Sequence, residues 1–105
     1  MADNDAVDVT VLYIDGCPGW RTAEARVREA LAVTCPAGGT VESVRVRTEE
    51  DAVRLRFPGS PTIRVGDRDL FPTASTAYAI ACRRYPTPDG FAPSPTVDQL
   101  VEALS

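Results

Sequence analysis

Cys17 is the residue of this chain whose surroundings most clearly suit chemistry. It lies in Asp15-Gly16-Cys17-Pro18-Gly19-Trp20, after the apolar run Val9–Ile14 and before a segment with helical spacing. If Pro18 to Trp20 open a helix, its unpaired N–H groups and its dipole face the sulfur. That arrangement favours a nucleophilic thiolate. Where a CxxC redox pair would carry its second cysteine stands Trp20. A reactive Cys17 must therefore find a partner elsewhere. The alternative is a small buried apolar residue, for which the Gly-Cys-Pro-Gly setting is a less natural place.

Two other cysteines are present, Cys35 and Cys82. Cys82 falls in a proline-rich stretch near the C-terminus. A chain returning across a sheet to place a last helix can bring this stretch to Cys17. Cys82 is then a resolving cysteine or a second thiolate for a soft metal. Otherwise it is an unpaired thiol in a short buried turn beside Ala79, Ile80 and Ala81. Cys35 sits at the far end of the first helix, roughly 20 Å from Cys17 at 1.5 Å per residue. That is beyond disulfide reach, and an inert Cys35 is expected. Trp20 either shields the thiol as a substrate platform or begins the core stripe of the helix. Asp15 is either a proton acceptor beside the thiol or a turn-closing residue. No histidine occurs. That removes the Cys-His catalytic pair and imidazole metal ligands together.

The elements that must position these residues follow from periodicity. Val7, Val9, Val11 and Tyr13 alternate, and Leu12 and Ile14 fill the other face. This predicts a strand buried on both faces near its end. Trp20, Ala23, Val27, Ala30 and Leu31 form one helical stripe, which Cys35-Pro36 ends. Residues 41–46 read as a second strand. Thr48 caps a short helix with Glu49, Glu50 and Asp51 in its first turn, and Phe57-Pro58-Gly59 stops it. Ile63 and Val65 mark a third strand, Gly66-Asp67 a two-residue turn, and 69–71 a short return strand. Residues 72–95 hold five prolines and read as an irregular loop, with a short helical turn around 78–82. Thr96-Val97-Asp98-Gln99 is a capping box that opens a last helix. Residues 1–6 read as a flexible tail, and residues 7–105 as one α/β domain with the order β-α-β-α-β-β-α. The first three strands, joined by helical crossovers, are expected to be parallel.

Composition narrows the function. The chain has 105 residues and a formal net charge of -4, and all 11 of its basic residues are arginine. Such a balance argues against an electrostatic nucleic-acid surface. No apolar run approaches the ~20 residues of a membrane span. The acidic N-terminus predicts no signal peptide. A cytoplasmic protein with reactive or buried thiols is expected, rather than a disulfide framework.

This order of elements, with Cys17 after the first strand and Ser60-Pro61-Thr62 before the third, resembles the thioredoxin fold. That fold has a mixed four-stranded sheet flanked by helices. More narrowly, the motifs Cys17-Pro18-Gly19-Trp20 and Cys82-Arg83-Arg84-Tyr85 are similar to those of small bacterial thioredoxin-like proteins with a single-cysteine Cys-Pro-x-Trp motif. Proteins of that kind are sometimes labelled alkylmercury lyase. The resemblance implies that Ser60–Pro61 is cis, with Ser60 and Pro61 holding a substrate backbone beside Cys17 and Trp20. The reaction it implies is thiol–disulfide exchange with a thiol or disulfide substrate or a partner protein. Cys17 would be the nucleophile, with Cys82 or an external thiol resolving, and no bound cofactor. Two alternatives stand beside it. Cys17 and Cys82 could bind a soft metal or an organomercurial as a thiolate pair. Or the domain is a non-catalytic interaction module.

Overall fold

A computed structural model describes residues 7–36, 38–74 and 77–105. The tail expected over residues 1–6 lies outside the described residues. Strand β1 (Val7–Tyr13) leads through Gly16 to helix α1 (Trp20–Thr34), then strand β2 (Gly39–Arg45), helix α2 (Glu49–Arg54), and strands β3 (Thr62–Val65) and β4 (Arg68–Asp69). A hairpin of β5 (Tyr85–Thr87) and β6 (Gly90–Ala92) follows, and helix α3 (Val97–Leu104) ends the chain. The result is a mixed α/β fold: a four-stranded sheet in the order β2-β1-β3-β4, with three helices.

The period-2 pattern of β1 divides the core in two. Val9 and Val11 join Ala23, Val27, Ala30 and Leu31 of α1, Ile63 and Leu100 of α3 in one buried cluster. Leu12 and Ile14 point the other way and pack with Cys17, Val46, Ala52 of α2 and Phe57. Helices α1 and α3 therefore pack on one face of the sheet and α2 on the other. Each fully buried Val, Leu, Ile or Phe contributes about 1.5–3 kcal/mol relative to exposure, so these two clusters are what hold the sheet in its layers.

The expectation of three parallel strands is corrected. β1 pairs with β2 in parallel, but β3 runs antiparallel to β1, with Leu12 opposite Thr62 and Val9 opposite Val65. Helix lengths explain the difference. The 15 residues of α1 span roughly 22 Å, matching the roughly 23 Å of a seven-residue strand. Helix α1 thus carries the chain back to the start of β1, and β2 repeats its direction. The six residues of α2 span only about 9 Å. The chain is still at the C-terminal end of β1 when β3 begins, so β3 must run back. The Gly66-Asp67 turn then sends β4 antiparallel to β3.

Residues 72–95 are also more regular than expected. They contain the β5–β6 hairpin, and the turn expected around 78–82 is not helical. Instead Cys82 forms a parallel bridge to Ser60. Two caps form as the sequence indicates. Thr48 Oγ1 accepts from the Asp51 N–H at 3.0 Å. Thr96 Oγ1 accepts from the Gln99 N–H at 3.1 Å, while Gln99 Oε1 accepts from the Thr96 N–H at 2.9 Å. Gln99 also donates to the Pro86 carbonyl at 2.8 Å, tying α3 to the hairpin. Replacing Thr96 with Ala removes one half of the capping box at the entry to α3. It should cost about 0.5–2 kcal/mol, read as a lower urea midpoint at an unchanged m-value.

Candidate functional site

The site is built around Ser60, at the turn between α2 and β3. Its side chain is fully buried. Its N–H donates to the Ala81 carbonyl at 2.8 Å, and its own carbonyl accepts from the Arg83 N–H at 2.7 Å. Its hydroxyl oxygen accepts from the Ile14 N–H at 3.1 Å, at the end of β1. The Cys17 thiol donates to the same Ser60 carbonyl at 3.3 Å. Three other pieces of chain thus meet at one residue. The Ser60–Pro61 bond is cis, as the sequence resemblance implied. The backbone of Ser60 is not open to a substrate, however. Both of its hydrogen-bonding groups face residues 81–83 of the same chain, and the expectation that Ser60 and Pro61 present a free edge is corrected. Pro61 is likewise buried, and its carbonyl accepts from the Tyr85 hydroxyl.

The segment that carries Cys82 is extended, and its exposure alternates. Cys82 and Arg84 are exposed, Arg83 is half-buried and Tyr85 is buried. Arg83 points inward. It donates to an Asp69 carboxylate oxygen at 2.8 Å, to the Phe71 carbonyl, and, at 3.4 Å, to Thr62 Oγ1. Its guanidinium also lies 4.6 Å from the centre of the Tyr85 ring. Arg83 and Asp69 are 10% and 17% exposed, so this pair is shielded from solvent more than a surface bridge. Beneath it, Tyr85 meets Phe71 edge to face at 5.5 Å. Gly59 makes the close seating of this segment possible. Its φ is +144°, and a Cβ there would lie 2.8 Å from the Arg83 Cβ, so both the backbone and the space demand glycine. On the other side of Cys17, a Cβ on Gly19 would come 2.5 Å from the Pro93 carbonyl oxygen. The loop that holds Cys17 is therefore packed between the 81–83 segment and the end of the hairpin.

Together these segments bring Cys17 and Cys82 to one open cavity of about 390 Å³, lined also by Pro18, Arg83, Arg84, Phe91, Ala92 and Pro93. Cys17 is 6% exposed. The Cys82 thiol is raised above its ordinary value of 9.0. Desolvation is the largest cause although the residue as a whole is exposed, and a hydrogen bond and charge interaction with Cys17 add to it. Both cysteines line this cavity, and both are free thiols.

The remaining residues singled out in the sequence lie elsewhere. Trp20 stacks on Tyr13 with ring centres 3.8 Å apart and packs against the second core cluster. It does not line the thiol cavity, and the packing alternative describes its position. Asp15 forms an ion pair with Arg45 of β2, which gives the carboxylate a partner at the strand end. Cys35 donates to the Gly38 carbonyl at 2.8 Å. It borders a different cavity, with Leu31 and Val41. Among the other residues that line the thiol cavity, Arg84 and Phe91 were given no role by sequence reasoning. The signal for Arg84 was its period-2 relation to Cys82, which becomes readable only if residues 82–85 are taken as extended. Phe91 is 71% exposed, and a lone aromatic among prolines carries little signal.

Among the described residues no group of three or more His, Cys, Asp or Glu side chains is placed to hold a metal ion, and no helix is long and apolar enough to cross a membrane. Compared with known proteins, the chain matches no family model, no curated protein and no solved structure.

The raised Cys82 thiol has a measurable consequence. Only the thiolate reacts with an alkylating agent, so a raised value leaves less of it at neutral pH. The alkylation rate of the Cys82 peptide, followed by mass spectrometry against pH, should reach its midpoint above 9.0. In Cys17→Ser the hydrogen bond and charge of Cys17 are gone while the desolvation remains. The midpoint should then move down toward, but not below, the ordinary value.

Proposed function

We propose that the chain is a thioredoxin-like thiol–disulfide exchange protein, with Cys17 as the nucleophile and Cys82 as the resolving cysteine. The observation that carries this reading is that Cys17 and Cys82, 65 residues apart in the chain, line one open cavity. The cis Ser60–Pro61 bond beside Cys17 and the β2-β1-β3-β4 sheet are consistent with the resemblance.

The chemistry runs in two exchanges. The Cys17 thiolate attacks one sulfur of a disulfide R–S–S–R. A bond forms between Cys17 and that sulfur, the R–S–S–R bond breaks, and one thiolate leaves and takes a proton from water. The Cys82 thiol then loses its proton and attacks the Cys17 sulfur. The mixed disulfide breaks, the second thiolate leaves, and a Cys17–Cys82 bond remains. The substrate disulfide has gained two electrons, and the protein dithiol has lost two. An external dithiol closes the cycle by the reverse exchange. Trp20 at the usual place of the second cysteine explains why the partner must come from a separate segment.

A second reading follows from the same pair. Two thiolates lining one cavity suit a soft cation such as mercury(II), and Cys17 and Cys82 would hold it. The two readings differ in what the protein does with an oxidant. Mild oxidation of the monomer with a small disulfide should give a Cys17–Cys82 bond on non-reducing peptide mapping. Closing that loop should raise stability by about 4 kcal/mol in the chain-entropy account, seen as a higher urea midpoint that dithiothreitol reverses. Either Cys17→Ser or Cys82→Ser should abolish the product. A thiol pair that stays reduced under oxidant but binds one mercury(II) would favour the metal reading instead, and a crosslink through Cys35 would overturn the assignment of the pair.

A further inference from the structure

We infer that the thiol cavity takes small anionic disulfides and thiols in preference to extended peptide disulfides, with Arg84 as the residue that selects the charge. The inference rests on the thiol-exchange reading. Two features of the structure carry it.

The first is steric. An extended peptide joins a protein edge by pairing its backbone with free N–H and C=O groups. At Ser60 both groups are already bonded, to Ala81 and to Arg83. The residue at the centre of that bridge is Cys82 itself. The segment cannot be lifted without breaking the pairing of Arg83 with Asp69 and exposing the Tyr85 anchor. The backbone position beside Cys17 is thus filled by the chain's own residues. What remains open is the cavity of about 390 Å³ between Pro18, Cys82 and the end of the hairpin. That volume suits a small molecule.

The second is electrostatic. The chain carries a formal net charge of -4, which by itself disfavours an anion. Two arginines line the cavity, and they are not equivalent. Arg83 is committed to Asp69. Arg84 is exposed and forms no ion pair among the described residues, where the bridges formed by arginines are those of Arg28, Arg45, Arg54 and Arg83. A guanidinium free of a carboxylate and two residues along an extended chain from Cys82 is well placed for the carboxylate of a ligand whose sulfur is at the thiols. The apolar faces of Pro18, Phe91 and Pro93 complete the lining.

The test compares disulfides that differ in charge and size. The reduced protein is mixed with 3,3'-dithiodipropionate, 2-hydroxyethyl disulfide or cystamine, and with a flexible peptide disulfide. Each rate is divided by the rate with free dithiothreitol, and the Cys17→Ser protein supplies the background. The expected order is dithiodipropionate, then hydroxyethyl disulfide, then cystamine, with the peptide disulfide slower than dithiodipropionate. Arg84→Gln should lower the rate with dithiodipropionate relative to that with hydroxyethyl disulfide by roughly two- to five-fold. An unchanged ratio of the dithiodipropionate and hydroxyethyl disulfide rates in Arg84→Gln, or a peptide disulfide as fast as dithiodipropionate, overturns the inference while the exchange reading stands. Rates equal to those of Cys17→Ser for every disulfide overturn both.

Discussion

The cohesion of this site depends on the polar groups of one buried serine. Ser60 has no contact with water, so its N–H, carbonyl and hydroxyl oxygen must find partners within the chain. They do so in three different directions: the end of β1, the Cys17 loop and the extended segment around Cys82. A buried group left unpaired costs about 1–3 kcal/mol, so each of these segments is held by the penalty of letting go. Two of the bonds are backbone to backbone. They do not depend on the identity of residues 81 or 83, only on the extended path of the chain.

Side chains then make that path the preferred one. Arg83 and Tyr85 turn inward, on the period of an extended strand, and each finds a polar partner: Asp69 of β4 for the guanidinium and the Pro61 carbonyl, just before β3, for the phenol. A largely buried Arg–carboxylate pair returns its desolvation cost only when further hydrogen bonds complete it. Here the Phe71 carbonyl supplies such a bond. The burial that secures Tyr85 also pushes its hydroxyl far above the ordinary value for tyrosine. With Arg83 and Tyr85 fixed inward, the alternation leaves Cys82 and Arg84 at the surface of the cavity. The anchoring side chains Arg83 and Tyr85 and the exposed Cys82 and Arg84 thus share one four-residue stretch.

The same arrangement brings a second cysteine to the Cys17 cavity although Trp20 stands where a CxxC motif would carry one. Trp20 gives its ring to Tyr13 and to the second core cluster. The second sulfur comes from 65 residues further on, carried by a segment outside the four-stranded sheet. Close approach on both sides is paid for in glycine, at positions 19 and 59, where any side chain would meet Pro93 or Arg83.

Much of the scaffold was legible in the sequence because its signals are local. The alternation of β1, the apolar stripe of α1, the Thr48 cap, the Gly66-Asp67 turn and the Thr96–Gln99 capping box all arise from neighbours within a few residues. Cys17 could be singled out for the same reason, since a thiol between a strand and a helix is a local pattern. The direction of β3 was not readable from periodicity, which is the same for parallel and antiparallel strands; the shortness of α2 decided it. Nor could spacing show whether the edge of Ser60 is free. That depends on which distant segment reaches it, and residues 81–83 fill it only because Arg83 and Tyr85 find Asp69 and Pro61 across the fold. Sequence alone thus determined the elements and the candidate nucleophile. The tertiary structure decided which distant segment shares the cavity of that thiol, because hydrogen bonds between residues 14 and 24 positions apart leave no periodic trace in the chain.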